Sequence, residues 1–243
     1  MEWMARFQQM VDQSNHIVFF GGAGVSTESG IPDFRSVDGI YSKKYPYPPE
    51  VMLSHSFFER HPEEFFAFHR DKLLFPDAKP NAAHRALAAL EAAEKLTAVI
   101  TQNIDGLHQA AGSRHVLELH GSVWRNYCVC CGKQYSLTWL QNTSGIPRCS
   151  CGGIVRPDVV LYEEGLDDAV MSQAIRALSE ADMVIVGGTS LVVYPAAGLL
   201  RFYSGERLVL INRAPTGMDG RANLIIGESI GEVMGRLQID GSH

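Results

Sequence analysis

Six short apolar runs punctuate the chain, at residues 17–20, 98–101, 116–119, 183–186, 208–211 and 224–226. They are continuous rather than alternating and rich in Val, Ile and Leu, the pattern of strands covered on both faces. Most are separated by stretches of helical period. Residues 2–14 carry Trp3, Phe7, Met10 and Val11 on one helical face, and the alanine-rich 82–94, introduced by Pro80, predicts a strong helix. Strands alternating with helices predict an α/β fold with a doubly wound parallel, Rossmann-like sheet. Two tracts break the rhythm. Residues 37–75 run from aromatic and proline-rich segments into helical patterns without strand alternation, and 123–162 hold every cysteine. The expected organisation is a main domain of 1–36, 76–122 and 163–240, with a helical insertion at 37–75 and a cysteine-bearing insertion at 123–162. Residues 241–243 read as a tag remnant.

In an open parallel sheet, ligands bind beyond the carboxyl ends of the strands. Those ends carry the polar residues here. The first run is followed by Gly21, Gly22 and Gly24, then Pro32, Asp33, Phe34 and Arg35. Glycines there let backbone turn sharply and approach a phosphate or ribose. Pro32 limits any helix that follows the strand to a turn or two. The dinucleotide fingerprint G-x-G-x-x-G fails, because Thr27 stands at its third glycine. The second run ends in Gln102, Asn103 and Asp105, the third in His120, the fourth in Gly188, Thr189 and Ser190, the fifth in Asn212. Gln102 and Asn103 stand where a hydride-transferring dehydrogenase often places a ribose-gripping acid, which speaks against redox chemistry. An imidazole titrating near neutrality suits His120 to general-base work. The amides and hydroxyls of 188–190 suit a pyrophosphate.

The chain of 243 residues is long enough for one large core with a satellite. Its net charge of −6 gives no support for a nucleic-acid partner. No apolar run reaches membrane-spanning length, and residues 1–7 lack the pattern of a signal peptide. The five cysteines cluster between Cys128 and Cys151, which favours metal in a reducing compartment over a disulfide frame. A cytoplasmic location is expected. Cys128-x-x-Cys131, seventeen residues, then Cys149-x-Cys151 reads as a four-thiolate zinc site. Four protein ligands leave no open position, so the metal is expected to be structural. Only Ser150 separates the second pair, which leaves open whether Cys130 replaces a ligand.

The string GAGVSTESGIPDFR (22–35), followed in order by TQNIDGLH (101–108), LELHGS (117–122) and GTS (188–190), resembles the signature of the sirtuins, NAD-consuming protein deacylases. The likeness runs from about 21 to 230. It implies that Gly22, Ala23, Gly24, Thr27, Phe34 and Arg35 bind NAD, with Phe34 shielding the reacting carbon. Gln102 contacts the ribose. Asn103 positions a water or hydroxyl near the reacting sugar. Ile104 and Asp105 hold the nicotinamide amide. Gly188, Thr189 and Ser190 take the pyrophosphate, Asn212 the adenine-side ribose, and Ile230 lies near the adenine. His120 and Asn103 are the catalytic pair: the acetyl oxygen displaces nicotinamide, and His120 then deprotonates a ribose hydroxyl that attacks the resulting imidate. Val160 and Tyr162 lie in a stretch that pairs with the substrate peptide as an added strand.

The implied partners are acetylated-lysine proteins or peptides, with no membrane or nucleic acid, and a monomer is expected. A mono-ADP-ribosyltransferase using the same site, or a non-catalytic NAD-binding module, are the competing readings. Tyr162 and Glu163 stand where the family commonly has phenylalanine and glycine. Glu163 points to a preference for basic residues near the target lysine. Phe66 and His69 occupy the apparent positions where members that remove succinyl or malonyl groups carry tyrosine and arginine, which implies a preference for neutral acyl groups.

Overall fold

The computed structural model describes residues 2–33 and 45–239. Phe34, Arg35 and the first part of the helical insertion lie outside them, as do residues 240–243. α1 (Glu2–Asp12) leads into β1 (Ile17–Gly21), after which Ala23–Val25 and Thr27–Ser29 form two short helical turns that stop before Pro32. α2 (Pro49–Met52), α3 (His55–Arg60) and α4 (Pro62–Lys72) follow. α5 (Ala82–Ala92) leads to β2 (Leu96–Thr101), and α6 (Leu107–Ala110) to β3 (Val116–Glu118). β4 (Gly121–Cys128), β5 (Gln134–Ser136), α7 (Leu137–Gln141) and β6 (Val155–Val159) come next. The chain ends with α8 (Asp168–Glu180), β7 (Met183–Gly187), a helical stretch at Ala196–Phe202, β8 (Leu208–Ile211), β9 (Leu224–Ile226) and α9 (Ile230–Met234).

All six runs enter one parallel sheet of order β3-β2-β1-β7-β8-β9. The order reverses between β1 and β7, the switch point at which such sheets bind dinucleotides. Alternate side chains of each strand serve different cores. Phe19, Val99, Ile185 and Val209 pack with α1, α5 and α9 on one face. Phe20, Ile100, Val186 and Leu210 pack with α8 and 196–202 on the other. Burial on both faces is why these strands read as unbroken apolar runs.

The two tracts that break the alternation meet in one small lobe. Met52, Phe57, Phe58, Phe65, Phe66 and Phe68 of the helices share a buried cluster with Leu137, Leu140 and Leu161 from the cysteine-bearing segment. Beside it, β5-β4-β6 form a three-stranded antiparallel sheet. The helical pattern of this region splits into two helices. Ser54 caps α3 by accepting from the Phe57 amide at 3.2 Å, and Pro62 opens α4 at a position that needs no N–H donor.

Three imidazoles are sealed inside. His69 lies in the small lobe, and His84 and His108 face each other across 4.7 Å beneath the main sheet's loops. Burial pushes them down to about 3, about 4 and about 3 respectively, with Arg70, Arg85 and His84 adding smaller repulsions. These folded values lie below the ordinary histidine range, so the unfolded chain takes up protons first. Their contribution to stability is therefore complete above about pH 6.5 and is lost as pH falls towards 4, at up to ~1.4 kcal/mol per pH unit for each histidine. Calorimetric melting temperatures are expected to hold between pH 7 and 8 and to fall steeply below pH 6. A flat profile down to pH 4.5 contradicts this assignment.

Candidate active site

The loops after β1 and β7 are laced backbone to backbone. The Gly22 amide donates to the Gly187 carbonyl at 3.3 Å and the Gly24 amide to the Gly188 carbonyl at 2.8 Å. A β-carbon on Gly24 would lie 2.7 Å from the Gly188 Cα, and one on Gly188, at φ 58°, would lie 2.3 Å from the Val25 nitrogen. No side chain fits at either position, so the approach of the two loops requires glycine. A cleft of about 860 Å³ opens between this junction and the small lobe. Ala23, Gly24 and Thr27 line it from β1's end, Gln102 to Asp105 from β2's, His120 from β3's, Gly188 to Ser190 from β7's and Asn212 from β8's. Ile230 closes the far side, and Val160 and Tyr162 line the small-lobe wall. Gly22 stands behind the lining, where a β-carbon would lie 2.9 Å from that of Thr189. Phe34 and Arg35 lie outside the described residues.

At the centre, Ser26 ties two strand ends together. Its Oγ donates to Asp105 Oδ2 at 2.6 Å and accepts from Asn103 Nδ2 at 3.1 Å. Burial raises the Asp105 carboxyl, and the bonds from Ser26 and from the Leu107 amide at 2.9 Å partly offset that rise. The exposed ring of Trp124 donates its indole N–H to the Asp105 carbonyl at 2.7 Å. Gln102 reaches across to Thr189 Oγ1 at 3.2 Å. Neither Ser26 nor Trp124 is singled out by the sequence reading. Ser26 lies inside the glycine-loop string, but its bridging role needs the β1 and β2 ends side by side.

His120 Nδ1 lies 3.0 Å from the Gln102 carbonyl. A carbonyl only accepts, so Nδ1 carries the proton and Nε2 keeps its lone pair. Burial lowers the imidazole's pKa, and the carbonyl bond opposes that only in part. At neutral pH the ring is an unprotonated base in a fixed tautomer.

The small-lobe wall continues from β6. The Val160 amide donates to the His120 carbonyl at 3.0 Å. Tyr162 pairs in parallel with Ser54 through bonds of 3.0 Å to Leu53 and from His55. Burial would raise the Glu164 carboxyl, yet a two-pronged Arg156 contact at 2.5 and 3.0 Å, the Leu161 amide and His55 hold it below its usual range. Glu163, expected to favour basic residues near the target lysine, is exposed, and both its oxygens accept from Ser56, one from the backbone N–H at 2.8 Å and one from the hydroxyl at 2.9 Å. Phe66 and His69 are buried in the small-lobe core and do not line the cleft.

The metal candidate is compact. The sulfurs of Cys128, Cys131, Cys149 and Cys151 lie within 4.8 Å of one another. Three of their separations are 3.4, 3.5 and 3.6 Å, close to the ~3.8 Å edge of a zinc–thiolate tetrahedron. The Cys151 amide and the Tyr135 hydroxyl lower the Cys149 thiol, while crowding by the three neighbouring sulfurs raises that of Cys151, the repulsion a bound cation would relieve. Cys130 is exposed and outside the set. The four residues fit a zinc ion, which would cross-link the two knuckles and do no chemistry in the cleft.

Known proteins share this architecture. The sequence profile described as the Sir2 family matches residues 22–195. A protein of Clostridium acetobutylicum named NAD-dependent protein deacetylase is 60% identical over 231 residues, covering 93% of this chain and 94% of its own. A Sir2 structure with a deacetylated p53 peptide and 3′-O-acetyl ADP ribose is similar at TM-score 0.87 and 41% identity, over 95% of each chain. Another, of Sir2 with a p53 peptide and NAD+, is similar at TM-score 0.84 and 41% identity, again over 95% of each chain.

Proposed function

The chain belongs to the Sir2 family, and from that premise we infer that it is an NAD-dependent protein-lysine deacetylase, which transfers the acetyl group of acetyl-lysine to ADP-ribose and releases nicotinamide and O-acetyl-ADP-ribose. The observation that carries this reading is the convergence of five parallel-strand ends on one cleft, with the neutral His120 imidazole among them. Bound NAD supplies an electrophilic sugar carbon, a leaving group and the hydroxyl that receives the acetyl group.

The residues then divide the work. Gly24 and the 188–190 turn let the backbone approach the pyrophosphate closely, with the Thr189 hydroxyl as a donor beside it, and Asn212 takes the adenine-side ribose. Ile104 and Asp105 orient the nicotinamide amide. Asn103, whose amide is steadied by Ser26, holds a water or hydroxyl beside the reacting sugar. His120 Nε2 accepts the ribose-hydroxyl proton. Val160 and Tyr162 present the wall on which the peptide lies. Phe34 and Arg35 complete the NAD contacts. The location we infer is cytoplasmic, because a thiolate metal set suits a reducing compartment.

Ile104, Val123, Val160 and Leu161 give the described lining an apolar part, and of its two cations Lys72 is paired with Asp71 at 3.6 Å and Arg213 donates to Ser229 beside the Asn212 end. A carboxylate-tipped acyl chain would lose hydration there without a cationic partner. A peptide panel tests both points. Acetyl-lysine is expected to be cleared only with NAD, with a kcat/KM at least about tenfold above that for succinyl-lysine, a difference of ~1.4 kcal/mol. NAD-independent deacetylation overturns the reading, and equal efficiency on the two acyl groups overturns the preference. Transfer of ADP-ribose to protein with the acetyl group left in place favours the ADP-ribosyltransferase reading.

A further inference from the structure

Glu163 holds a left-handed backbone conformation, φ 75°. A non-glycine residue at such a position is strained and stays there only where its surroundings compel it. Both carboxylate oxygens are bonded to Ser56 in α3, 107 residues away in sequence. Two further ties run beside it. The Ser54–Tyr162 bridge joins the same two segments through backbone, and His55 meets Glu164 at 2.8 Å. The segment that follows β6, which carries the cleft wall, is thus fastened to the helical part of the small lobe at three successive residues, 162 to 164.

We propose that Glu163 is a positioning residue for peptide binding: its carboxylate clasps Ser56 and thereby holds the Val160–Tyr162 wall in the conformation that receives the acetyl-lysine peptide. The proposal rests on the deacetylase reading above. It differs from a charge-reading role in what it requires, an acceptor for Ser56 rather than a negative charge facing the peptide. It also differs from a role in stability alone. Glycine adopts this φ freely, so Glu163→Gly relieves the backbone while it removes the clasp. A wall held in place before binding spares the peptide the work of ordering it.

The test compares Glu163→Gly, Glu163→Gln and Ser56→Ala with wild type. Two quantities are read: the Kd of a fluorescein-labelled acetyl-lysine peptide by anisotropy, and steady-state kinetics with NAD. Glu163→Gly is expected to melt no lower than wild type, yet to raise the peptide Kd and KM about tenfold, with kcat and the KM for NAD within about twofold, the signature of lost binding rather than lost chemistry. Glu163→Gln keeps an acceptor for Ser56 and is expected to stay near wild type. In the Ser56→Ala background the effect of Glu163→Gly is expected to shrink, since neighbours in one network couple.

An unchanged peptide Kd in Glu163→Gly overturns the proposal. So does a Glu163→Gln variant that is as impaired as Glu163→Gly only on peptides with basic residues, which assigns Glu163 to charge reading. A lower melting temperature with unchanged Kd assigns it to stability alone. Wild type that binds the peptide but never deacetylates it overturns the enzymatic reading while the Kd comparison still decides the clasp. Wild type that binds no acetylated peptide overturns both.

Discussion

His120→Ala is expected to keep its fold and its affinity for NAD and to deacetylate on the order of 10²–10⁴-fold more slowly, the usual worth of a positioned general base. The side chain lies just past β3, hydrogen-bonds the Gln102 carbonyl alone among the described residues, and is part of neither main-sheet core. Its removal therefore leaves the scaffold intact. Lone-pair placement on Nε2 and a pKa lowered by burial make it a base at neutral pH. Nicotinamide departs before the base acts, so exchange of labelled nicotinamide into NAD in the presence of acetyl-peptide is expected to survive in the variant while product formation fails. Deacetylation within threefold of wild type would remove His120 from the chemistry.

The second large effect concerns the thiolate cluster. About one equivalent of zinc per chain is expected, and its removal is expected to lower the melting temperature by on the order of 10 °C and to abolish deacetylation. Activity is lost with the metal because the lobe is shared. Leu137, Leu140 and Leu161 from the cysteine-bearing segment pack into the same core as the phenylalanines of α3 and α4, and β6 leads directly to the cleft wall. Cys149→Ala is expected to reproduce the loss. Cys130→Ala is expected to retain full zinc, since its thiol lies outside the cluster. Metal analysis beside calorimetry checks each variant. Unchanged melting after verified removal contradicts a structural role.

The main sheet was legible because both its faces are buried: six unbroken apolar runs became six strands, in the order that places a switch point beside the glycine turn. The polar strand tips were legible for the same reason, since a parallel sheet delivers all its carboxyl ends to one side. The cysteine spacing pointed to a four-thiolate site because few other arrangements use thiols at such density, and the fold then left Cys130 outside the set. What was not legible depends on distant pairing. Nothing in residues 56–75 reveals that their phenylalanines share a core with Leu137 and Leu140. Ser26 becomes a bridge only when β1 and β2 lie side by side. Glu163 read as a free charge in a string, and only the fold brings Ser56 to both its oxygens.

The central claim is that the strand ends around His120 bring NAD and acetyl-lysine together for one coupled reaction. The most direct measurement is a mass-balance assay on the purified chain with acetyl-lysine peptide and NAD, quantifying nicotinamide, free-lysine peptide and O-acetyl-ADP-ribose by liquid chromatography and mass spectrometry. Equal amounts of the three, and none without NAD, are predicted. Free-lysine peptide formed with acetate alone, or nicotinamide released while the peptide keeps its acetyl group, would contradict the account.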